Sequence, residues 1–417
     1  MSIYTFLEPG TDFDELETDT SNNATEIAVI KEPFDDGMDL KVLDEYVDST
    51  EDSLSKTRNF LEEYQDLSGI KLVAADAVNN INFGCSISMD GDYCIVGARY
   101  EDTEASNAGA AYIFHRAGTN AWDAGTKIVA PDAEADDQFG FSVSISGDYC
   151  VVGAPYEETG GNSAGAAYVF HRTGTNTWDA GTKIVASDAE ADDYFGHAVS
   201  ISGDYCVVGA YYEDTGGDKA GAAYIYHRTD TNTWDAGIKI VASDAEASDN
   251  FGEFVSIDGD YCAVGAPTNE KAYIFHRTGT NAWEEFKLNP SGSKMQDFGA
   301  SVSISGDYCV IDPIPPIDSE VYFFHRTGLN TWDTGNKVIV IEEGYNYDRL
   351  GVSISGDYCI VLAGEVNKVF TYKRTDGDNW NLKNEFFKDL NYSTSISLSG
   401  NTFAIGCNEA AYIYNML

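Results

Sequence analysis

The sequence predicts an all-β fold: a seven-bladed β-propeller of four-stranded antiparallel blades, closed by an N-terminal strand (3+1) and preceded by an acidic, largely irregular N-terminal segment. Three observations predict it. A Gly-Asp-Tyr-Cys segment recurs with its glycine at Gly91, Gly147, Gly203, Gly259, Gly306 and Gly356, and a degenerate seventh copy carries Gly400. The steps are 56, 56, 56, 47, 50 and 44 residues, which suit a radial array better than seven separate domains. Each unit divides into short extended runs with no helical spacing. The last unit supplies only three such runs, and a matching fourth stands near the start of the chain.

Residues 1–67 form the first expected region. They hold 19 Asp or Glu against 4 Lys or Arg, with few apolar residues, so the stretch to about Asp39 reads as disordered. A helix is expected near 49–67, where Leu54, Leu61 and Tyr64 fall near helical spacing and Asp48 or Ser49 can cap the start. This tail is either a solvated acidic segment or a docking segment. The first twenty residues have neither a basic stretch nor an apolar core, so no secretory signal is expected.

Residues 68–417 form the propeller. In its second unit Phe141–Ser146 alternates in polarity, Tyr149–Ala154 is nearly all apolar, Ala166–Arg172 carries Tyr168, Val169 and Phe170, and Trp178–Ala186 is the outer run. Gly147-Asp148 reads as a tight hairpin turn and "RTGTNTW" as a longer one. Strands apolar on both faces fit blades that pack face to face on two neighbours. The expected closing strand is Ile70–Ala75, because "IKLVAADA" aligns with "TKIVASDA" at Thr182–Ala189.

Phe139-Gly140, Phe195-Gly196 and Phe251-Gly252 open their units, and Gly153-Ala154-Pro155 and Gly265-Ala266-Pro267 follow at a constant spacing. In these residues the chain resembles the FG-GAP, or integrin-alpha-like, propeller family over about residues 68–417. The sixth unit departs with Leu350-Gly351 and the fifth with Asp312-Pro313. The resemblance implies a non-catalytic interaction or adhesion module, often extracellular or surface-exposed. It also implies calcium loops of the form Asp-x-Asp-x-Asp-Gly. Here only "SGDY" or "DGDY" stands at that place, too short to wrap a cation needing six to eight oxygens.

Residues present in nearly every unit are read as architecture. Cys94, Cys150, Cys206, Cys262, Cys309 and Cys359 would sit on sheets about 10 Å apart, beyond the roughly 7 Å that a disulfide spans. They are therefore expected as small, reduced core residues, with Cys85 and Cys407 less regular. Trp122, Trp178, Trp234, Trp283, Trp332 and Trp380 should pack between blades, and Asp66 stands at the equivalent place in the closing strand. His115, His171, His227, His276 and His325, each followed by Arg, should form a structural rim, and His197 stands outside the series. No catalytic residue is expected.

The formal charge of −44 argues against nucleic acid and anionic membrane surfaces. No run approaches the length of a spanning helix. In a propeller the loops leaving strands 2 and 4 share one face, which here receives "YEDTEASNAG", "YEETGGNSAG" and "YEDTGGDKAG" together with "DAEADD" and "DAEASD". The long loops occur only in units 1–3, and long loops on a rigid scaffold are where recognition resides. The expected partner-binding residues are Glu101, Asp102, Glu157, Glu158, Glu213, Asp214 and Asp218, facing a protein or glycan. A weak calcium site between the two loop types is the cofactor alternative. A structural component of a larger assembly docked by the tail, and a hydrolase or lyase on a propeller scaffold, are the other readings. The face carrying the His-Arg ends should be mildly basic.

Overall fold

A computed structural model of the chain describes residues 4–7, 27–30, 69–76, 81–290, 298–313, 319–341, 350–363, 368–375, 378–387, 393–407 and 409–416. Two compact units are present, 1–68 and 69–417. In the first, Tyr4–Leu7 pairs parallel with Ile27–Ile30 inside the segment expected to be irregular. The helix expected near 49–67 and Asp66 lie outside the described residues.

The second unit is a seven-bladed propeller of antiparallel sheets. Blade 2 shows the plan: Ser142–Ser146 is innermost, followed by Tyr149–Ala154 and Ala166–Gly174. The second strand is buried along its whole length because both its faces meet a neighbouring sheet. Thus Ile95, Ala111 and Ile113 of blade 1 share a core with Val143, Cys150, Val152 and Tyr168 of blade 2. In blade 7, Ile70–Leu72 pairs antiparallel with Ala410–Asn415, through Ile70 opposite Ile413 and Leu72 opposite Ala411. That strand is shorter than the expected Ile70–Ala75.

The outer strand differs from expectation elsewhere too. In blade 2 it is two pieces, Thr177–Trp178 and Thr182–Ile184. The Asp179 carboxylate takes the ladder's place, accepting the N–H groups of His171 and Gly181 at 3.0 Å, and Gly181 turns the chain at φ 79. Blades 4 and 6 have Glu284 and Asn381 at that position, and their outer strands, Ala282–Lys287 and Trp380–Phe387, are unbroken.

The inner strands explain the repeated serines. Ser88, Ser144, Ser200, Ser256, Ser303, Ser353 and Ser397 each accept a backbone N–H from the following blade at 2.9–3.1 Å, the last from Met89. A second set of seven lies one step outward. There the turn glycines donate to Asp90, Ser146, Ser202, Asp258, Ser305, Ser355 and Ser399. Both rings close through blade 7.

On the face of the Gly-Asp turns, five of the seams carry the same lock. Tyr149 of blade 2 packs 4.7 Å from His171 of its own blade and edge-on to Trp234 of the next. The Arg228 guanidinium lies 4.2 Å from its ring centre and donates to its hydroxyl, which donates to the Thr231 carbonyl. Tyr93, Tyr205 and Tyr261 repeat this with Arg172, Arg277 and Arg326, and Tyr308 does so with Arg374 except that its hydroxyl donates to the Asp378 carboxylate. Arg116, Arg172, Arg228, Arg277, Arg326 and Arg374 each pair with a turn carboxylate such as Asp148 or Asp204. The mildly basic face expected here is therefore neutralised pair by pair. Tyr149→Phe removes both hydroxyl bonds and is expected to cost about 1–3 kcal/mol, read as a lower urea midpoint.

The eight cysteines are free thiols. The six of the series are wholly buried, and burial pushes the Cys94 and Cys206 thiols far above their usual range, which leaves them unreactive.

Candidate functional site: an aromatic patch within an acidic rim

The seven carboxylates expected to bind a partner divide into two sets. Glu101, Glu157 and Glu213 are 5, 8 and 7 % exposed. Each carboxylate turns inward, accepting the N–H and hydroxyl of the threonine two residues on, Thr103, Thr159 or Thr215. Each also meets the ammonium of Lys127, Lys183 or Lys239 at 2.9, 2.7 and 2.5 Å. They are internal ties, so the expectation that they face a partner is corrected. Asp102, Glu158, Asp214 and Asp218 are exposed. They remain on the rim, with Asp102 and Asp214 ordering their loops through the N–H groups of Asn107 and Lys219.

The same lysines bind the preceding connection. Lys127, Lys183 and Lys239 reach Asp76, Asp132 and Asp188, which also accept the hydroxyls of Tyr112, Tyr168 and Tyr224 at 2.8 Å. Burial alone would raise these aspartates, but the lysine and tyrosine bonds outweigh it and hold them below the usual carboxylate range.

The last aspartate of each connection is different. Asp137 and Asp193 are 3 and 5 % exposed and bond only a local N–H, that of Glu134 or Glu190. Burial, reinforced by the charges of Glu157 and Glu213, pushes both up to about 6. At the third such position Lys271 supplies a cation 2.9 Å from Asp249.

Between these loops lies a feature that the sequence did not announce. Phe141, Tyr156, Tyr194, His197, Tyr211 and Tyr212 form one contiguous, half-buried aromatic cluster across blades 2 and 3. Phe141 is 4.9 Å from His197, which is 4.4 Å from Tyr211, and Tyr194 lies 5.4–5.6 Å from Tyr156, Tyr211 and Tyr212. Blade 1 extends it with Arg99, whose guanidinium lies 4.8 Å from the Tyr100 ring centre and 5.1 Å from that of Phe141. Lys219 covers Tyr212 at 4.3 Å. The rings therefore already accept cations on their faces.

The glycines of the recurring motif have one structural task. Gly153 lies against the carbonyl oxygen of Gly196 in the next blade, while within each blade the two glycines are tied, Gly140 N–H donating to Gly153 O at 3.1 Å and Gly196 N–H to Gly209 O at 3.0 Å. Gly97–Gly140 and Gly209–Gly252 repeat the approach. The FG-GAP repeat model matches residues 69–114, 122–170, 178–226 and 234–275, four successive units built on this contact. Residues 69–275 are FG-GAP repeats.

The FG-GAP propeller also superposes on solved propellers of other families. The virginiamycin B lyase from Staphylococcus aureus matches with a TM-score of 0.54 at 9 % identity, covering 83 % of this chain and 98 % of that one. The RRP9 WD40 repeats match with 0.54 at 8 %, covering 83 % and 99 %. The Pseudomonas aeruginosa periplasmic gluconolactonase matches with 0.52 at 12 %, covering 80 % and 88 %. These likenesses carry the fold alone. No curated protein sequence matches the chain.

Among the described residues of the FG-GAP propeller, no three His, Cys, Asp or Glu side chains come together as a metal site, and no helix is long and apolar enough to cross a membrane. The serial histidines are stacked on the lock tyrosines, as His171 is on Tyr149.

Proposed function

We propose that the propeller is a non-catalytic interaction module that takes a protein partner on the loop face of blades 1–3. A basic side chain of the partner lies on the aromatic patch, and Asp102, Glu158, Asp214 and Asp218 draw it in. The observation that carries this reading is the half-buried cluster from Phe141 to Tyr212, set inside a carboxylate rim. Aromatic faces and carboxylates together favour Lys and Arg, and a cation on a ring contributes about 0.5–2 kcal/mol. The resting contacts of Arg99 and Lys219 are intramolecular versions of the same chemistry. The net charge of −44 adds long-range attraction for a basic partner.

A random peptide array probed with the whole chain tests this. Retained peptides should be enriched in Arg and Lys beside apolar residues. The Tyr156→Ala/Tyr212→Ala double variant should lose about tenfold or more in retention at unchanged melting temperature, as two weakened ring contacts imply. Equal retention by this variant and the parent would exclude the patch, and retention of acidic peptides would exclude the charge argument.

A further inference from the structure

We propose that the seam between blades 7 and 1 is a binding site for a 4-hydroxyphenyl group, which enters where a tyrosine stands at five other seams. At those seams the tyrosine ring fills a socket made by the histidine of its own blade and by the Arg and Trp of the next, with a loop carbonyl, or Asp378 in the case of Tyr308, accepting its hydroxyl. Blade 1 carries the same residues for such a socket, Arg116, Trp122 and Thr119 at the positions of Arg172, Trp178 and Thr175 in blade 2, with Arg116 turned so that its Nε donates to Asp92 and its Nη2 to the Gly91 carbonyl. Blade 7 lacks the ring. Thr402 pairs with Asn415 in the register in which Tyr149 pairs with His171, so both the tyrosine and its stacking histidine are replaced by short polar residues.

The result is an open recess of about 490 Å³, lined by Asp92, Arg116, Thr119, Asn120 and Asn415 among others. Blade 7 contributes only Asn415 to its lining. Thr402 Oγ1 is 3.0 Å from Asn415 Oδ1, and Asn415 is bridged to Asn120 at 3.4 Å. The seam is otherwise intact. Met89 donates to Ser397, and Ser395 donates to the Gly84 carbonyl, as at the equivalent positions elsewhere. The ring of blades is thus closed at this seam, and the recess lies beside the position of the missing tyrosine, with room for more than one ring.

The chemistry of the walls selects the occupant. A hydroxyl held as at four of the other seams accepts from the guanidinium and donates to the carbonyl, while the ring lies over the guanidinium face. An unsubstituted arene would leave the carbonyl without its donor. An anionic ligand would meet Asp92, which already holds Arg116 at 2.8 Å.

The test uses the full chain and p-cresol, followed by calorimetry and thermal melting. Binding of p-cresol should raise the melting temperature, and toluene should bind more weakly. Thr402→Tyr should raise the melting temperature without ligand and weaken p-cresol at least about tenfold, because the ring then comes from the chain itself. Arg116→Met, checked for an unchanged circular dichroism spectrum, should weaken p-cresol similarly and decides the matter if Thr402→Tyr does not fold. A tyrosine side chain of a peptide and a free phenol are separated by N-acetyltyrosinamide: binding equal to that of p-cresol supports the first source, and p-cresol alone the second. No binding of p-cresol, equal binding of toluene, or undiminished binding to a folded Thr402→Tyr or Arg116→Met variant overturns the site.

Discussion

Gly153→Ala is expected to destabilise the propeller by about 1–3 kcal/mol or more, the usual range for a methyl forced into a packed interior. Its new Cβ would overlap the Gly196 carbonyl oxygen, which cannot withdraw without moving a strand, and would crowd Ser142 Oγ, which could turn away only by giving up its bond to that carbonyl. Gly147, six residues earlier in the same repeated segment, is a glycine for another reason. It sits at φ 57 with open space around it, so its cost on substitution is backbone strain alone. Asparagine tolerates that conformation. Gly147→Asn should therefore leave the urea midpoint nearly unchanged while Gly153→Asn should not fold, and equal tolerance at the two positions would refute the contact.

Stability should fall as pH rises from about 4 through 6, and the Asp137→Asn/Asp193→Asn double variant should remove most of this fall. The folded-state values of Asp137 and Asp193 stand at about 6, above the 3.8 of an unperturbed aspartate. A raised value means that the folded chain binds more protons than the unfolded one across this window. The associated stability is complete below 3.8 and is lost as pH passes 6. Two pKa units would correspond to nearly 3 kcal/mol, and screening by the solvent at the loop face reduces that to about 1–2 kcal/mol per site. Asparagine keeps an oxygen for the Glu134 and Glu190 N–H groups, so it removes the charge and little else. The depressed aspartates act in the opposite sense and in another window. Asp76, Asp132, Asp188 and Asp244 lose their stabilising charge only as pH falls below the ordinary carboxylate range. A pair of melting curves against pH, parent and double variant, should converge near pH 4 and separate above it.

The recurrence of Gly-Asp-Tyr-Cys made the seven blades legible because every unit solves the same packing problem with the same residues. The same comparison explains what was missed. Glu101, Glu157 and Glu213 are invariant among the three long loops, as are the following Thr103, Thr159 and Thr215 and the distant Lys127, Lys183 and Lys239. Invariance between units is the mark of architecture here, and it separated these buried carboxylates from the rim residues beside them. The aromatic patch was hidden for the converse reason. Phe141, His197, Tyr194 and Tyr211 occupy positions that change from blade to blade, with Cys85, Glu253, Gln138 and Pro155 at equivalent places. No single unit shows the patch, because adjoining blades build it together. The break in the outer strand was equally invisible, since "WDAGTKIVA" reads as one extended run until the Asp179 carboxylate is seen occupying the ladder.

The two closed rings of side-chain acceptors bear on how such a gene can change. The first three steps of the repeat are each 56 residues long and close to identical in sequence, which invites duplication or loss of one whole unit without disturbing the reading frame. Every contact inside the added or lost unit, and every contact between neighbours, would survive such an event. What would not survive is the hand-over from Ser397 and Ser399 to Met89 and Gly91, which requires the last blade to arrive at one angle to the first. The rings thus act as a counter. They tie the number of blades to the angle at which the last one meets the first.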